Sequence, residues 1–389
     1  MSDIQDELAA RLRELDSRSL RRTLTSPAGR DFSSNDYLGL ASDPLIAERV
    51  RAALGAPAGA PSSRLLRGNT AEHVQLESRL AEFKGTEAAL LFPSGYQANL
   101  AVISALVTPR DRVITDRLNH ASIIDALKLA RPRKVIVPHL DVTAIEGALM
   151  EPHANGRTFL ITESLFSMDG DIAPLDRYAD LAETYDASLI VDDAHATGLY
   201  GKRGSGLAEH FAIERRALAI MSTFGKALGL HGAFVAGSRV FIDFLVNKAR
   251  PFVFSTAPAP ILVAAWEGSL DALAAGGDTK RRTVMSRADQ LRARLREAGL
   301  DVGGSVGPIV PMILGESETA LAVAADVQKA GFDVRAIRPP TVDPGTARLR
   351  ISIHADHSES EIETLAKAVI TATSHLAPRT SHPSQTPHR

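Results

Sequence analysis

The chain contains no cysteine. Disulfide staples, thiolate nucleophiles and zinc–thiolate sites are therefore excluded, and a reducing compartment is permitted. Nor is there a surplus of either charge. Lys and Arg number 44 against 46 Asp and Glu, so no global field favours nucleic acid or an anionic membrane, and any anion site must be local. No apolar run reaches the length of a membrane span. The opening Met1-Ser2-Asp3-Ile4-Gln5-Asp6-Glu7 carries acid where a secretory leader would carry positive charge. These absences lead to the expectation of a cytoplasmic protein with no nucleic-acid or membrane partner, whose chemistry uses neither thiols nor a metal.

What is present is ordinary globular material: 389 residues, 44% hydrophobic and 23% charged, enough for roughly two domains. Ile4, Leu8, Leu12 and Leu15 recur at helical spacing among charged neighbours, which predicts an amphipathic arm within residues 1–44. From 45 to 260, helix-like stretches alternate with short apolar runs that read as buried parallel strands. The runs are Ala89–Phe92, Arg112–Thr115, Lys134–Val137, Thr158–Thr162, Leu189–Asp192, Leu218–Met221 and Gly232–Ala236. The expectation is an α/β fold with one mostly parallel, seven-stranded sheet. Residues 261–376 change to long helical stretches with short strands near Val310–Leu314 and Arg348–Ser352, a smaller α+β domain. Residues 377–389, rich in Pro, Ser, Thr and His, read as a disordered tail.

In doubly wound sheets ligands bind at the carboxyl ends of the strands, so the residues just past each run come first. After the sixth run comes Ser222-Thr223-Phe224-Gly225-Lys226. Its hydroxyls and open amides suit a phosphate, and a lysine shielded from water can attack an aldehyde. Alone, such a lysine is more often merely exposed. The fifth run ends in Asp192-Asp193-Ala194-His195. A buried carboxylate needs a partner, and the protonated ring nitrogen of pyridoxal 5′-phosphate is one such partner. A metal pair or a satisfied core histidine is the alternative. Gly95 and Tyr96 open a helix after the first run, where free N–H groups favour phosphate, and His120 after the second run offers a ring for stacking. Ser167 follows the fourth run, within reach of the same crevice. An aspartate, a histidine and a hydroxyl-flanked lysine at successive strand ends fit one job and favour pyridoxal 5′-phosphate as cofactor.

The segments Asp192–Gly198 and Ser222–Lys226 resemble signatures of the α-oxoamine synthases, pyridoxal phosphate enzymes of fold type I. Phe32–Leu40, Gly68-Asn69-Thr70, Asn119–Ser122 and Phe254-Ser255-Thr256 match the same family pattern. The resemblance implies that Lys226 holds the cofactor as a Schiff base, Asp192 pairs with the ring nitrogen, His195 contacts the phenolic oxygen, and His120 stacks on the ring and assists oxyanion or carboxylate stabilisation on the substrate. It further implies Gly95, Tyr96, Ser167 and Thr223 around the cofactor. A homodimer is implied too, with Ser255 and Thr256 reaching the partner's phosphate. The stretch Ile337–Arg350 resembles the alanine-using branch more than the glycine-using ones. The implied reaction joins L-alanine to pimeloyl-CoA, or to a pimeloyl-carrier protein, with loss of CO2. Arg21 is then implied in acyl-substrate binding, Thr341 in substrate binding and Arg350 in binding the amino-acid carboxylate. The alternatives are glycine C-acetyltransferase, 5-aminolevulinate synthase or a non-catalytic subunit of the same fold. One departure stands out: Ala60-Pro61-Ser62-Ser63-Arg64 replaces the family's Gly-Ser-Gly before Ser-Arg.

Overall fold

The computed structural model describes residues 3–55, 59–153 and 156–374; the tail expected at 377–389 lies outside them. The chain divides into two compact units. One comprises Asn35–Ser167 and Ile172–Arg282; the other comprises the described residues of Met1–Ser34, Met168–Asp171 and Thr283–Arg389.

The larger unit is built on strands β1 (Ala88–Phe92), β2 (Arg112–Asp116), β3 (Arg133–Val137), β4 (Thr158–Glu163), β5 (Ala187–Asp192), β6 (Ala219–Thr223) and β7 (Ala233–Gly237). They lie in the order β1-β7-β6-β5-β4-β2-β3. The sheet is mostly parallel and seven-stranded, as expected, and two of its strands depart from the reading of each run as a buried parallel strand. Strand β7 runs antiparallel to both β1 and β6, because only the short turn from Phe224 to Gly232 joins it to β6, too short for the crossover that parallel neighbours require. Strand β3 is an edge whose Arg133, Lys134 and Ile136 are exposed; its charges blunt that edge against further pairing. The inner strands are apolar and buried on both faces, as in sheets covered by helices on each side. Helices α1 (Gly95–Leu106) and α2 (Ala121–Ala130) follow β1 and β2. Helix α3 (Pro260–Glu297) runs for 38 residues.

The smaller unit carries an antiparallel sheet of β8 (Ile309–Gly315), β9 (Arg335–Ile337) and β10 (Ala347–Ser352), with β10 in the middle. Its core includes Phe32, Leu291, Val310, Met312, Leu349 and Val369. Helix α4 (Glu359–Thr373) begins with a reciprocal cap between Ser358 and Glu361. The helix Ile4–Ser17 buries none of its residues, and the apolar stripe Ile4, Leu8, Leu12 and Leu15 stays exposed. Among the described residues no helix is long and apolar enough to cross a membrane.

A buried imidazole makes this unit acid-sensitive. His357 stacks on Phe32 at 3.8 Å between ring centroids. Its Nε2–H donates to the Asp31 carbonyl at 2.8 Å, and its Nδ1 accepts the His354 N–H at 3.0 Å. Both nitrogens are committed, so the nearby trio of His354, Asp356 and His357 is a packing feature. Burial, reinforced by the neighbouring His354, pushes the His357 pKa down from 6.5 to about 4. Between those values the unfolded chain binds the extra proton, so stability falls as pH drops from 6.5 toward 4, by roughly 3 kcal/mol in total. Urea midpoints measured at pH 7 and 4.5 should show this loss. A His357→Asn variant, which cannot titrate, should flatten the dependence; an equal slope in that variant would exclude His357 as its source.

Candidate active site

The parallel strands β2, β4, β5 and β6 deliver polar residues to one edge of the sheet. Glu163 and Asp192 close β4 and β5 as register partners, and Asp192 pairs in turn with Met221 of β6. Asp192 is 6% exposed and accepts the Asn99 side-chain N–H at 2.7 Å and the Ala194 backbone N–H at 3.0 Å. Asp193, the next residue, belongs to a different network: Lys84 at 2.9 Å, the Ser164 hydroxyl at 2.7 Å and the Leu207 N–H at 3.1 Å. Alternation along the strand thus separates a carboxylate that faces the crevice from one that anchors the strand.

Lys226 sits in the turn after β6. The turn is shaped by Thr223, whose hydroxyl donates to the Gly232 carbonyl at 2.7 Å and accepts the Gly225 N–H at 3.0 Å. Gly198, at φ +91°, lets this turn approach: a Cβ there would stand 2.7 Å from the Ala227 Cβ. Gly198→Ala should therefore cost about 1–3 kcal/mol and loosen cofactor retention, read from the urea midpoint and the cofactor left after gel filtration. Unchanged values would show that the turn tolerates the methyl group.

Helix α1 brings its N-terminus to the same edge. Ser94 caps it by accepting the Gln97 N–H, and the first amides, of Gly95 and Tyr96, have no acceptor within the helix. A Cβ on Gly95 would lie 3.6 Å from Met221 and 3.9 Å from Thr223, so hydroxyl and amides adjoin. The Tyr96 ring meets His120 edge-on at 6.4 Å, and its hydroxyl bonds Asp125.

His120 caps α2, its Nδ1 accepting the Ser122 N–H at 3.2 Å. Part of the ring is open to solvent and the remainder is embedded. That embedding lowers its pKa, Asp192 opposes the shift and Lys226 reinforces it. Glu163 is fully buried; burial first, then Asp192, raises its pKa well above the carboxylate range, against the pull of Lys226. The backbone N–H groups of His120 and Ser167 donate to this carboxyl, yet its Oε1 has no partner among the described residues. Lys226, Asp192, His120 and Glu163 therefore share one electrostatic field. His195, 5% exposed, meets the fully buried Tyr37 hydroxyl at 2.8 Å through Nδ1.

The remaining sequence-predicted residues lie elsewhere. Thr256 forms an antiparallel bridge with Ser63, and the Ala257 N–H donates to the Ser62 carbonyl at 2.9 Å. The departing Ala60–Arg64 stretch is thus tied to the Ser255-Thr256 segment. Arg21, Thr341 and Arg350 belong to the smaller unit. There Arg22, not Arg21, donates to Thr341 at 3.1 Å, while Arg21 pairs with Asp16 at 2.7 Å. Arg348 is engaged by Asp169 at 2.6 Å, and Arg350 donates to the Ser352 hydroxyl at 2.8 Å. The sequence reading passed over Asn99, Glu163, Ser122 and Tyr37 as site residues. Asn99 and Glu163 are visible as polar residues inside apolar elements, a signal that could have found them.

A buried carboxylate suits a protonated ring nitrogen, amides at a helix start beside a hydroxyl suit a phosphate, and a turn lysine supplies an amine for an aldehyde. The residues present fit pyridoxal 5′-phosphate, and together with the sheet they define the fold type I transferases that depend on it. The aminotransferase class I and II model matches residues 29–369. An 8-amino-7-oxononanoate synthase from Anaeromyxobacter dehalogenans is 44% identical over 388 residues, covering 96% of this chain and 97% of that one. Among solved structures, a serine palmitoyltransferase from Sphingomonas wittichii superposes with a TM-score of 0.88 at 29% identity, covering 96% and 98%. An 8-amino-7-oxononanoate synthase from Francisella tularensis superposes with 0.78 at 26%, covering 89% and 98%. The chain belongs to the aminotransferase class I and II family.

Proposed function

We infer that the chain condenses L-alanine with a pimeloyl thioester, releasing CO2 and the thiol and giving 8-amino-7-oxononanoate, a step of biotin biosynthesis. The observation that carries this reading is the 44% identity, over nearly the full length of both chains, to a relative bearing that enzyme name. The shared field of Lys226, Asp192 and His120 supports it.

Bound pyridoxal phosphate supplies an electron-withdrawing ring that stabilises negative charge at the amino-acid Cα. Lys226 would hold the cofactor, and its amine would take the Cα proton from within the site. Asp192 would keep the ring nitrogen protonated, His195 would face the phenolic oxygen and His120 would stack on the ring. The Gly95 and Tyr96 amides would receive the phosphate, with Thr223 shaping the adjoining turn and Ser167 beside them. Arg350 would bind the alanine carboxylate. Arg21 would serve the acyl substrate, and Thr341 would take part in substrate binding. The active form is a homodimer in which Ser255 and Thr256 serve the partner's cofactor phosphate. The exposed Leu66 and Phe254, near the Ser63–Thr256 bridge, support a covered face there.

The test is thiol release from pimeloyl-CoA and from palmitoyl-CoA with L-alanine, glycine or L-serine. Alanine with the pimeloyl thioester should dominate. Preference for glycine would move the chain to a glycine-using activity, and preference for serine with the palmitoyl thioester to that of its solved neighbours.

A further inference from the structure

The hydrogen bonds behind the stacking histidine have only one consistent direction. Asp192, as a carboxylate, can only accept, so the Asn99 amide must present its nitrogen to it, at 2.7 Å. The second hydrogen on that nitrogen points to the Ser122 hydroxyl at 2.9 Å. Ser122 Oγ, having accepted it, has its own proton for His120 Nδ1, at 2.8 Å. The same Nδ1 also receives the Ser122 backbone N–H at 3.2 Å. A nitrogen that accepts two hydrogens carries none of its own. Asn99 is 3% exposed and Ser122 is fully buried, so water does not compete for this chain.

We infer that Asn99 and Ser122 are positioning residues that tie the His120 ring to Asp192 and fix it as the neutral tautomer protonated on Nε2. His120 then presents a hydrogen-bond donor to the crevice. It can support a developing negative charge on a carbonyl or carboxylate oxygen, and it is not a proton acceptor at that atom. The charged and titratable neighbours facing the ring are Asp192 on β5, Lys226 after β6, Glu163 on β4 and Tyr96 on α1. The backbone N–H of His120 is itself donated to Glu163, which holds the ring's own backbone from the opposite side of the relay.

This inference rests on the cofactor assignment above. The experiment is 15N NMR of holoenzyme labelled at histidine, with the His120 signals assigned by difference against His120→Asn, together with kcat and KM across pH. The wild type should show the Nε2–H neutral tautomer from pH 6.5 to 9 and no histidine titration in kcat. Ser122→Ala should give mixed tautomers and lower kcat about 10-fold, the usual scale for losing an outer partner of a site residue, with KM nearly unchanged; Ser122→Thr should restore both. Asn99→Leu should act the same way, and if it fails to fold, the Ser122 pair decides. An Nδ1–H or cationic His120 in wild type, or a Ser122→Ala enzyme with unaltered tautomer and kcat, overturns the inference while leaving the cofactor assignment intact. If the cofactor does not load on Lys226, the assignment itself falls.

Discussion

Replacing Lys226 with alanine should abolish turnover, by more than about 10⁴-fold, while leaving the fold and the affinity for pyridoxal phosphate largely in place. The side chain does two jobs that nothing nearby can share. On the proposed reading it is the amine that joins the cofactor aldehyde and the base that removes the Cα proton. His120 is held with its Nδ1 occupied, so it is not a ready substitute base. Retention of the fold is expected because the Thr223 hydroxyl holds the turn through its bonds to the Gly232 carbonyl and the Gly225 N–H, which the substitution leaves in place. The variant should therefore bind the cofactor without forming the covalent link. Borohydride reduction followed by mass analysis should find the adduct on Lys226 in wild type and none in the variant. Turnover of the variant near the wild-type rate, or an adduct on another lysine, would sink the assignment.

The second large effect is at Asp192. Exchange for asparagine keeps the shape, removes the charge and should lower kcat about 10³-fold, the upper range for losing a preorganised electrostatic partner. Two donors converge on this carboxylate, the Asn99 amide and the Ala194 N–H. An asparagine can offer its oxygen to only one of them and must turn its own N–H₂ toward the other or toward the cofactor ring nitrogen. On the proposed reading the ring nitrogen then loses the anion that would keep it protonated. A second readout comes from Glu163, whose pKa Asp192 helps to raise; with the neighbouring charge gone, that pKa should move back toward the carboxylate range. A kcat close to wild type would mean that Asp192 is structural, and Asp192→Glu, which keeps the charge but shifts its position, separates charge from geometry.

Much of this was legible from residue order. Most runs of the large sheet are apolar and buried, β3 with its exposed Arg133 and Lys134 being the exception, so hydrophobic stretches marked them within a residue or two of Ala88–Phe92 through Ala233–Gly237. Strand direction was less legible. Nothing in Gly232–Ala236 distinguishes a parallel from an antiparallel strand, and only the short connection from β6 imposes the reversal. The edge position of β3 was written in Arg133 and Lys134 but needs the strand order to be read.

By itself the sequence determined the class of chemistry. Asp192, His195, Thr223 and Lys226 stand at strand ends because the apolar runs before them must be buried, and local pattern suffices to say so. Tertiary structure alone decided which polar groups meet. Asn99 lies 93 residues from Asp192 and 23 from Ser122, and Tyr37 lies 158 from His195. No local period links such positions, and hydrogen bonds of fixed length and direction form only once the sheet and its helices have brought them within about 3 Å. The raised pKa of Glu163 arises in the same way, from the register that sets it beside Asp192 inside a buried edge.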